Sequence, residues 1–267
     1  MNEPGSSAVQ GAIKSSDDVR AMFDGIVPRY DLLNRLMTGG RDVAWRKLAV
    51  REAARHRNPA TASVLDIATG TGDLALELER AGFASVVGLD FSAPMLQEAE
   101  RKALGQPGGM SLVSWVQGDA MALPFVADTF DAVTVGFGLR NMPDYLGALR
   151  EVVRVLKPGG TFVCLETSPL PSPVLRAAFQ AAMRTGLPLL GGVLSGDREA
   201  YAYLPQSSAV FPDAETLGRL MQVAGLRNVR YLRRGFGAVA IHLGRKPPLP
   251  EEGVVTTPPQ RSVARGA

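Results

Sequence analysis

Three observations in this 267-residue sequence predict an α/β fold. Short apolar runs alternate with helical patterns through the middle of the chain, from "SVLDIAT" to "TFVCLET". A glycine-rich turn joins the first run to its helix, and the last two runs, "NVRYLRR" and "GAVAIHLG", are separated by Gly235 like an antiparallel pair. Such alternation builds βαβ units and a mostly parallel sheet covered on both faces, in the doubly wound, Rossmann-like manner.

The elements follow in order. Val19, Met22, Phe23 and Ile26 recur at helical spacing, and a second piece carries Leu32, Leu33, Leu36 and Met37, with Pro28 expected to divide the two. Residues 17–50 together read as an N-terminal helical lid. "SVLDIAT", "SVVGLD", "SLVSWVQGD" and "FDAVTVGFG" are strands, with "DLALELERAG" and "APMLQEAERKAL" as helices among them. "YLGALREVVRVLKPGG" is a helix with Leu146, Leu149, Val153 and Leu156 on one face, and "TFVCLET" is a fifth strand. Residues 169–205 read as a helical insert. In "DAETLGRLMQVAGL", Leu217, Leu220, Met221 and Ala224 share a face. The folded body is one domain over 17–246. Gly/Ser-rich residues 1–16 and the Pro-rich tail 247–267 are expected to be disordered.

Composition narrows the function. Hydrophobic residues make up 46% of the chain, which excludes global disorder, and the formal charge of +3 is scattered without a basic block. No nucleic acid partner is expected from that pattern, whereas a membrane surface stays open. Cys164 is the lone cysteine, so a reducing compartment is the default, and no secretory signal opens the chain. The expected location is cytoplasmic, peripheral on the inner face of the cell membrane if the surface association holds. His56 and His242 have no metal-ligand spacing, so no metal is expected, and His242 reads as a core or edge residue. The apolar stretch Val174 to Leu194 is broken by Arg176, Arg184 and Pro188, which argues against a span.

"VLDIATGTGDLA" places Gly70 and Gly72 in a tight strand-to-helix turn, where backbone can approach a ligand and the helix offers free N–H groups. Asp90 closes the next strand, positioned to accept from ribose hydroxyls. Gly70, Gly72 and Ala75 also satisfy the dinucleotide fingerprint, so an NAD-binding oxidoreductase is a rival reading. Asp66 at the first strand end suits an ammonium and repels a pyrophosphate. Asp119 after the third strand suits an adenine amino group, with Met121 or Leu123 packing nearby. Three acidic strand ends favour S-adenosylmethionine over NAD. "VGFGLRNMPD" sends an apolar strand straight into Arg140 and Asn141, at the end where such sheets bind ligands. Gly136 and Gly138 are expected to let that backbone turn.

"VLDIATGTGD", "GLDFSAPML", "GDAMALPFVADTFD", "GFGLRNMPD" and "RVLKPGG", in that order, resemble class I S-adenosylmethionine-dependent methyltransferases. "MFDGIVPRYDLLNRLMTGGRDVAWRK" and "GFGLRN" resemble more narrowly the quinone C-methyltransferases of menaquinone and ubiquinone biosynthesis, over about Val19 to Lys246. "GLDFS" and "VCLETS" lean toward the demethylmenaquinone branch. The resemblance implies a seven-stranded sheet with an antiparallel last strand and a cofactor site using Thr71, Asp90, Asp119 and Ala120. It also implies methyl transfer to a prenylated quinol. Arg140 is then expected to stabilise a ring oxyanion, with Asn141 donating or orienting. Tyr30 and Asp31 are candidate proton acceptors, or else core packing and a helix cap. Residues 174–194 are expected to serve as an interfacial segment for the prenyl tail or as an ordinary insert, and a homodimer is left open. A ubiquinone-pathway benzoquinol and a catalytically idle scaffold are the other rivals.

Overall fold

The computed structural model describes residues 16–106, 111–170, 172, 207–208 and 210–249. Most of the expected insert and most of both terminal tails lie outside these residues. The strands are β1 (Ser63–Ile67), β2 (Ser85–Asp90), β3 (Val113–Gln117), β4 (Phe130–Gly136), β5 (Leu156–Thr167), β6 (Arg227–Arg234) and β7 (Val239–Arg245). They form one sheet in the order β3-β2-β1-β4-β5-β7-β6. β1 pairs in parallel with both β2 and β4, and β7 alone runs antiparallel to its neighbours β5 and β6. The chain order therefore reverses between β1 and β4, and the loops leaving these two strands diverge around a crevice.

Strand alternation explains why both faces are covered. Leu65, Ile67, Val133, Val135 and Phe162 join one core, while Val64, Ala132, Val163 and Leu165 join the other. Helices α2 (Asp42–Ala54) and α3 (Asp73–Arg80) cover the second face through Trp45, Ala49, Leu74 and Leu78. Helices α5 (Tyr145–Val155) and α6 (Ala214–Val223) cover the first. α4 (Ala93–Leu104) starts at a Ser92 cap that accepts from the Met95 N–H. Asp144 caps α5 by accepting from Gly147 N at 3.0 Å, which fixes where the polar turn after β4 ends.

Two helical expectations differ from the structure. α1 (Ser16–Thr38) runs on through position 28 rather than breaking there. A proline removes one N–H and crowds one carbonyl, a local cost. The helix around it is held by the buried side chains of Val19, Met22, Phe23 and Ile26 packed with Met95. On α5 the buried stripe is Tyr145, Ala148, Leu149, Val152 and Val155. Leu146 and Val153 are only half-buried, and Leu156 already belongs to β5. Both stripes satisfy the 3.6-residue period, so spacing alone does not select the buried one. On α6, Leu217, Leu220 and Met221 are buried as expected.

Cys164 is fully buried in β5, where burial pushes its thiol well above the ordinary value, so it packs as a small apolar residue. His242 is 1% exposed in β7, and its Nε2–H donates to the Ala214 carbonyl at 2.8 Å, tying the sheet to α6. Burial, helped by nearby Arg233, depresses its pKa from 6.5 to about 4 despite that bond. Between these values the unfolded chain carries the extra proton, so this group's contribution is complete above pH 6.5 and is lost as pH falls toward 4. His242→Gln should therefore lose less stability than the parent on going from pH 7 to pH 4. The difference should approach about 3 kcal/mol by urea unfolding at the two pH values. Equal losses in both proteins would show that His242 does not contribute to acid sensitivity.

Candidate active site

The crevice between the carboxyl ends of β1 and β4 opens into a cavity of about 350 Å³. Its walls include Gly70, Asp90, Phe91, Asp119, Ala120 and Met121 from the β1, β2 and β3 ends. Phe137 and Asn141 come from beyond β4, with Arg20, Phe23 and Tyr30 from α1 as a roof. The volume lies in the ordinary range for small-ligand sites.

The glycine loop leaves β1 with left-handed backbone at Ala68 (φ 51°), Gly70 (φ 55°) and Gly72 (φ 81°). Its two glycines serve different ends. A Cβ at Gly70 would meet only Tyr30 Cε1, at 3.7 Å, so this residue keeps the loop open toward the cavity. A Cβ at Gly72 would lie 2.6 Å from the Trp115 indole and 2.9 Å from Ala99. Gly72 is thus demanded by packing as well as by φ, and it lies outside the cavity wall, contrary to the expected ligand approach. Gly88 in β2 meets the same indole, at 2.6 Å.

The three acidic strand ends part company. Asp90 and Asp119 line the cavity. Asp90 accepts from Gly70 N at 2.7 Å and Ser92 N at 3.0 Å. Each of its oxygens then retains a second lone pair for a ligand hydroxyl. Burial raises its pKa, and the backbone donors pull the other way. Asp119 accepts from Met121 N at 2.8 Å through Oδ1. Asp66 is 1% exposed beneath the loop, where it accepts from the hydroxyls of Thr69 and Thr134, both at 2.6 Å. Burial raises its pKa to about 6, against those two hydroxyls. It braces the loop on β4, and the expected contact with an ammonium group is not what its position provides. Thr71 also turns away: its hydroxyl donates to Asp31 at 2.6 Å.

The polar turn after β4 is built around a residue that the sequence did not bring forward. Glu166, at the end of β5, takes the Arg140 guanidinium at 2.6 Å and the Arg140 backbone N–H at 3.2 Å. Its Oε1 also accepts from Thr167 N. Arg140 further donates to the Phe137 carbonyl at 2.7 Å and is 3% exposed. It lies under the cavity floor with its charge paired, so the expected direct contact with a ring oxygen is corrected: Asn141 lines the wall in its place. The turning residue is Phe137 (φ 58°) rather than either glycine. Gly138 is required because a Cβ there would lie 2.5 Å from Ala68 Cβ, where the two loops close on each other. The only signal for Glu166 was an acid inside an apolar strand, which at that burial needs a cationic partner.

Tyr30 and Asp31 are adjacent yet face opposite ways. Tyr30 lines the cavity, edge-on to Phe23 at 5.9 Å between ring centroids. Burial raises its phenol above 10.0, and the Arg140 charge and Asn34 oppose that only in part. At neutral pH it is therefore a donor, not a base. Asp31 binds Lys102 Nζ at 2.8 Å, and Lys102 also contacts Asp73 and the Thr71 hydroxyl. This cluster fastens α1 to α3, α4 and the glycine loop, so Asp31 is a latch and not a proton acceptor at the cavity. Two more anchors help: Arg20 donates to the Phe91 carbonyl at 2.6 Å, and Ser92 donates to Asp24 at 2.5 Å. Among the described residues no cluster of His, Cys, Asp or Glu could hold a metal.

Gly88→Ala tests the indole packing without a positive φ to confuse it. It should cost about 1–3 kcal/mol by denaturant unfolding, and Trp115→Leu in the same chain should recover most of that. No loss in the single variant would mean that the indole moves freely.

The sequence and the fold have counterparts elsewhere. Residues 11–246 match the model of the ubiE/COQ5 methyltransferase family. A demethylmenaquinone methyltransferase of Thermus thermophilus is 49% identical over 227 residues, covering 85% of this chain and all of that one. A ubiquinone/menaquinone biosynthesis C-methyltransferase of Desulfotalea psychrophila is 44% identical, covering 85% of this chain and 90% of its own length. Among solved structures, the SpnF cyclase superposes with a TM-score of 0.64 at 21% identity, covering 90% of this chain and 99% of its own. That likeness concerns the fold alone. A family match across most of the chain and near-half identity to a full-length relative lead to one statement: this protein belongs to the ubiE/COQ5 methyltransferase family.

Proposed function

We propose that this protein transfers a methyl group from S-adenosylmethionine to a ring carbon of demethylmenaquinol, giving menaquinol. One observation carries the reading. The wall of a single cavity includes ribose- and adenine-seeking carboxylates, Asp90 and Asp119, together with neutral donors, Tyr30 and Asn141. When bound, S-adenosylmethionine supplies an electrophilic methyl on a sulfonium. Asp90 would hold its ribose hydroxyls, Asp119 with Ala120 and Met121 its adenine, and the open backbone at Gly70 the remaining chain. The names of the relatives from Thermus thermophilus and Desulfotalea psychrophila agree with the quinol substrate.

The chemistry gives the donors their task. A quinol ring carbon becomes nucleophilic when its neighbouring hydroxyl ionises, and a phenol with a pKa near 10 costs about 4 kcal/mol to ionise at neutrality. Preorganised donors in a dry site supply comparable amounts. Asn141 and the protonated Tyr30 both line the cavity and would donate to that oxygen, while Arg140, held by Glu166, fixes the turn that presents Asn141 and would add positive field behind it. This arrangement needs no metal. The prenyl tail makes association with a membrane surface part of the proposal, at the inner face of the cell membrane. No described helix is long and apolar enough to cross one.

A second reading has support in the double name of the Desulfotalea psychrophila relative: a ubiquinone-pathway benzoquinol as substrate. Purified protein given S-adenosylmethionine and either reduced quinol separates the two by the mass gain of one CH2 unit. Gain on demethylmenaquinol is expected, and its absence with the cofactor bound would sink the first reading. Asn141→Ala should lower kcat about 100-fold while cofactor affinity stays nearly unchanged. Parallel losses in both would place Asn141 at the cofactor instead of the ring.

A further inference from the structure

The turn between β6 and β7 repeats the Gly-Phe-Gly sequence of the cavity floor, but with the aromatic ring outside. Phe236 has φ 57° and is 86% exposed. A left-handed backbone is readily met by glycine and resisted by an aromatic residue, and water resists the bare ring. Strain and exposure together at one residue point to a function rather than to folding.

The surroundings of this turn say what it meets. β6 runs parallel to β5 through their shared partner, so the turn sits at the same end of the sheet as the cavity. Ala238 accepts from Ser168 N at 2.9 Å just past β5, and a Cβ on Gly235 would lie 3.3 Å from Trp45 in the first turn of α2. Thr38, closing α1, donates to Asp42 at 2.9 Å. The end of α1, the start of α2 and the Phe236 turn thus form a connected rim, on which Leu36 and Val43 are also exposed. Its charge is mainly positive, with Asp213 near Arg233 as an acid from outside the two segments. Within 31–43 and 227–238 the only acids are Asp31 and Asp42, paired to Lys102 and Arg46. The same segments carry Arg35, Arg41, Arg233 and Arg234.

We infer that this rim docks the protein on a bilayer of anionic lipid. Phe236 enters the headgroup layer and the arginines sit on the surface charge. The inference rests on the proposed quinol substrate, whose tail lives in the bilayer, and it sets the cavity end of the sheet against the source of that substrate.

Flotation with phosphatidylglycerol vesicles and with phosphatidylcholine vesicles tests it. Phe236→Gly is the probe, because glycine relieves the left-handed φ and keeps the turn. The parent should float with the anionic vesicles, less so at high salt, and the variant should partition at least about tenfold more weakly. Arg234→Gln should weaken flotation on anionic vesicles only. Turnover of a tail-less, water-soluble quinol should be equal in parent and Phe236→Gly. Equal flotation of parent and variant, or no flotation of the parent, overturns the surface. So does a variant that loses only self-association in sedimentation. A parent inactive on the soluble quinol would count against the substrate reading alone, since flotation decides the surface independently.

Discussion

The Arg140–Glu166 pair is the constraint on which the cavity depends. Both groups are almost wholly buried, at 3% and 1% exposure, and each would be costly alone. Removing one partner of such a pair typically costs about 3–5 kcal/mol, although the intact pair contributes little net stability. What it contributes is position. Glu166 binds the side chain and the backbone N–H of Arg140, and Arg140 binds the Phe137 carbonyl, so the strained turn after β4 has one arrangement. That arrangement puts Asn141 on the wall and Phe137 beside it, and the Arg140 charge reaches Tyr30 across the cavity.

The roof is held differently. α1 buries four apolar side chains against Met95, but its polar anchors, Arg20, Asp24 and Asp31, are only partly buried. Partly buried pairs are screened and weak compared with core packing. The floor is accordingly held by buried contacts and the roof by separable ones, which suits a cavity that admits and releases a ligand. Lys102 joins three of the contacting segments, so the roof and the glycine loop are fastened both through its ammonium group and by the direct bond from Thr71 to Asp31.

Much of this was legible in the sequence. Strand alternation gave the parallel sheet, and the cavity lies at the strand ends where Gly70, Asp90, Asp119 and Asn141 were expected. Periodicity could not choose between the two apolar stripes of α5, because both have the right spacing and only the sheet beneath selects one. Nor could residue type reveal direction. Asp66, Thr71 and Asp31 are chemically suited to a ligand, yet they spend their hydrogen bonds on Thr134, on Asp31 and on Lys102. Glu166 stayed hidden because its partner lies 26 positions away and meets it only once β4 and β5 pair.

Trp115 carries a consequence of another kind. Its indole fills the space of two absent side chains, at Gly72 in the loop and at Gly88 in the neighbouring strand. The three positions therefore cannot drift independently over generations. At Gly88 a larger residue becomes tolerable only in a lineage whose Trp115 has already shrunk, so the order of substitutions is set by one ring. At Gly72 the left-handed backbone keeps the constraint even then. The loop that faces the cavity is thus constrained by packing on its far side.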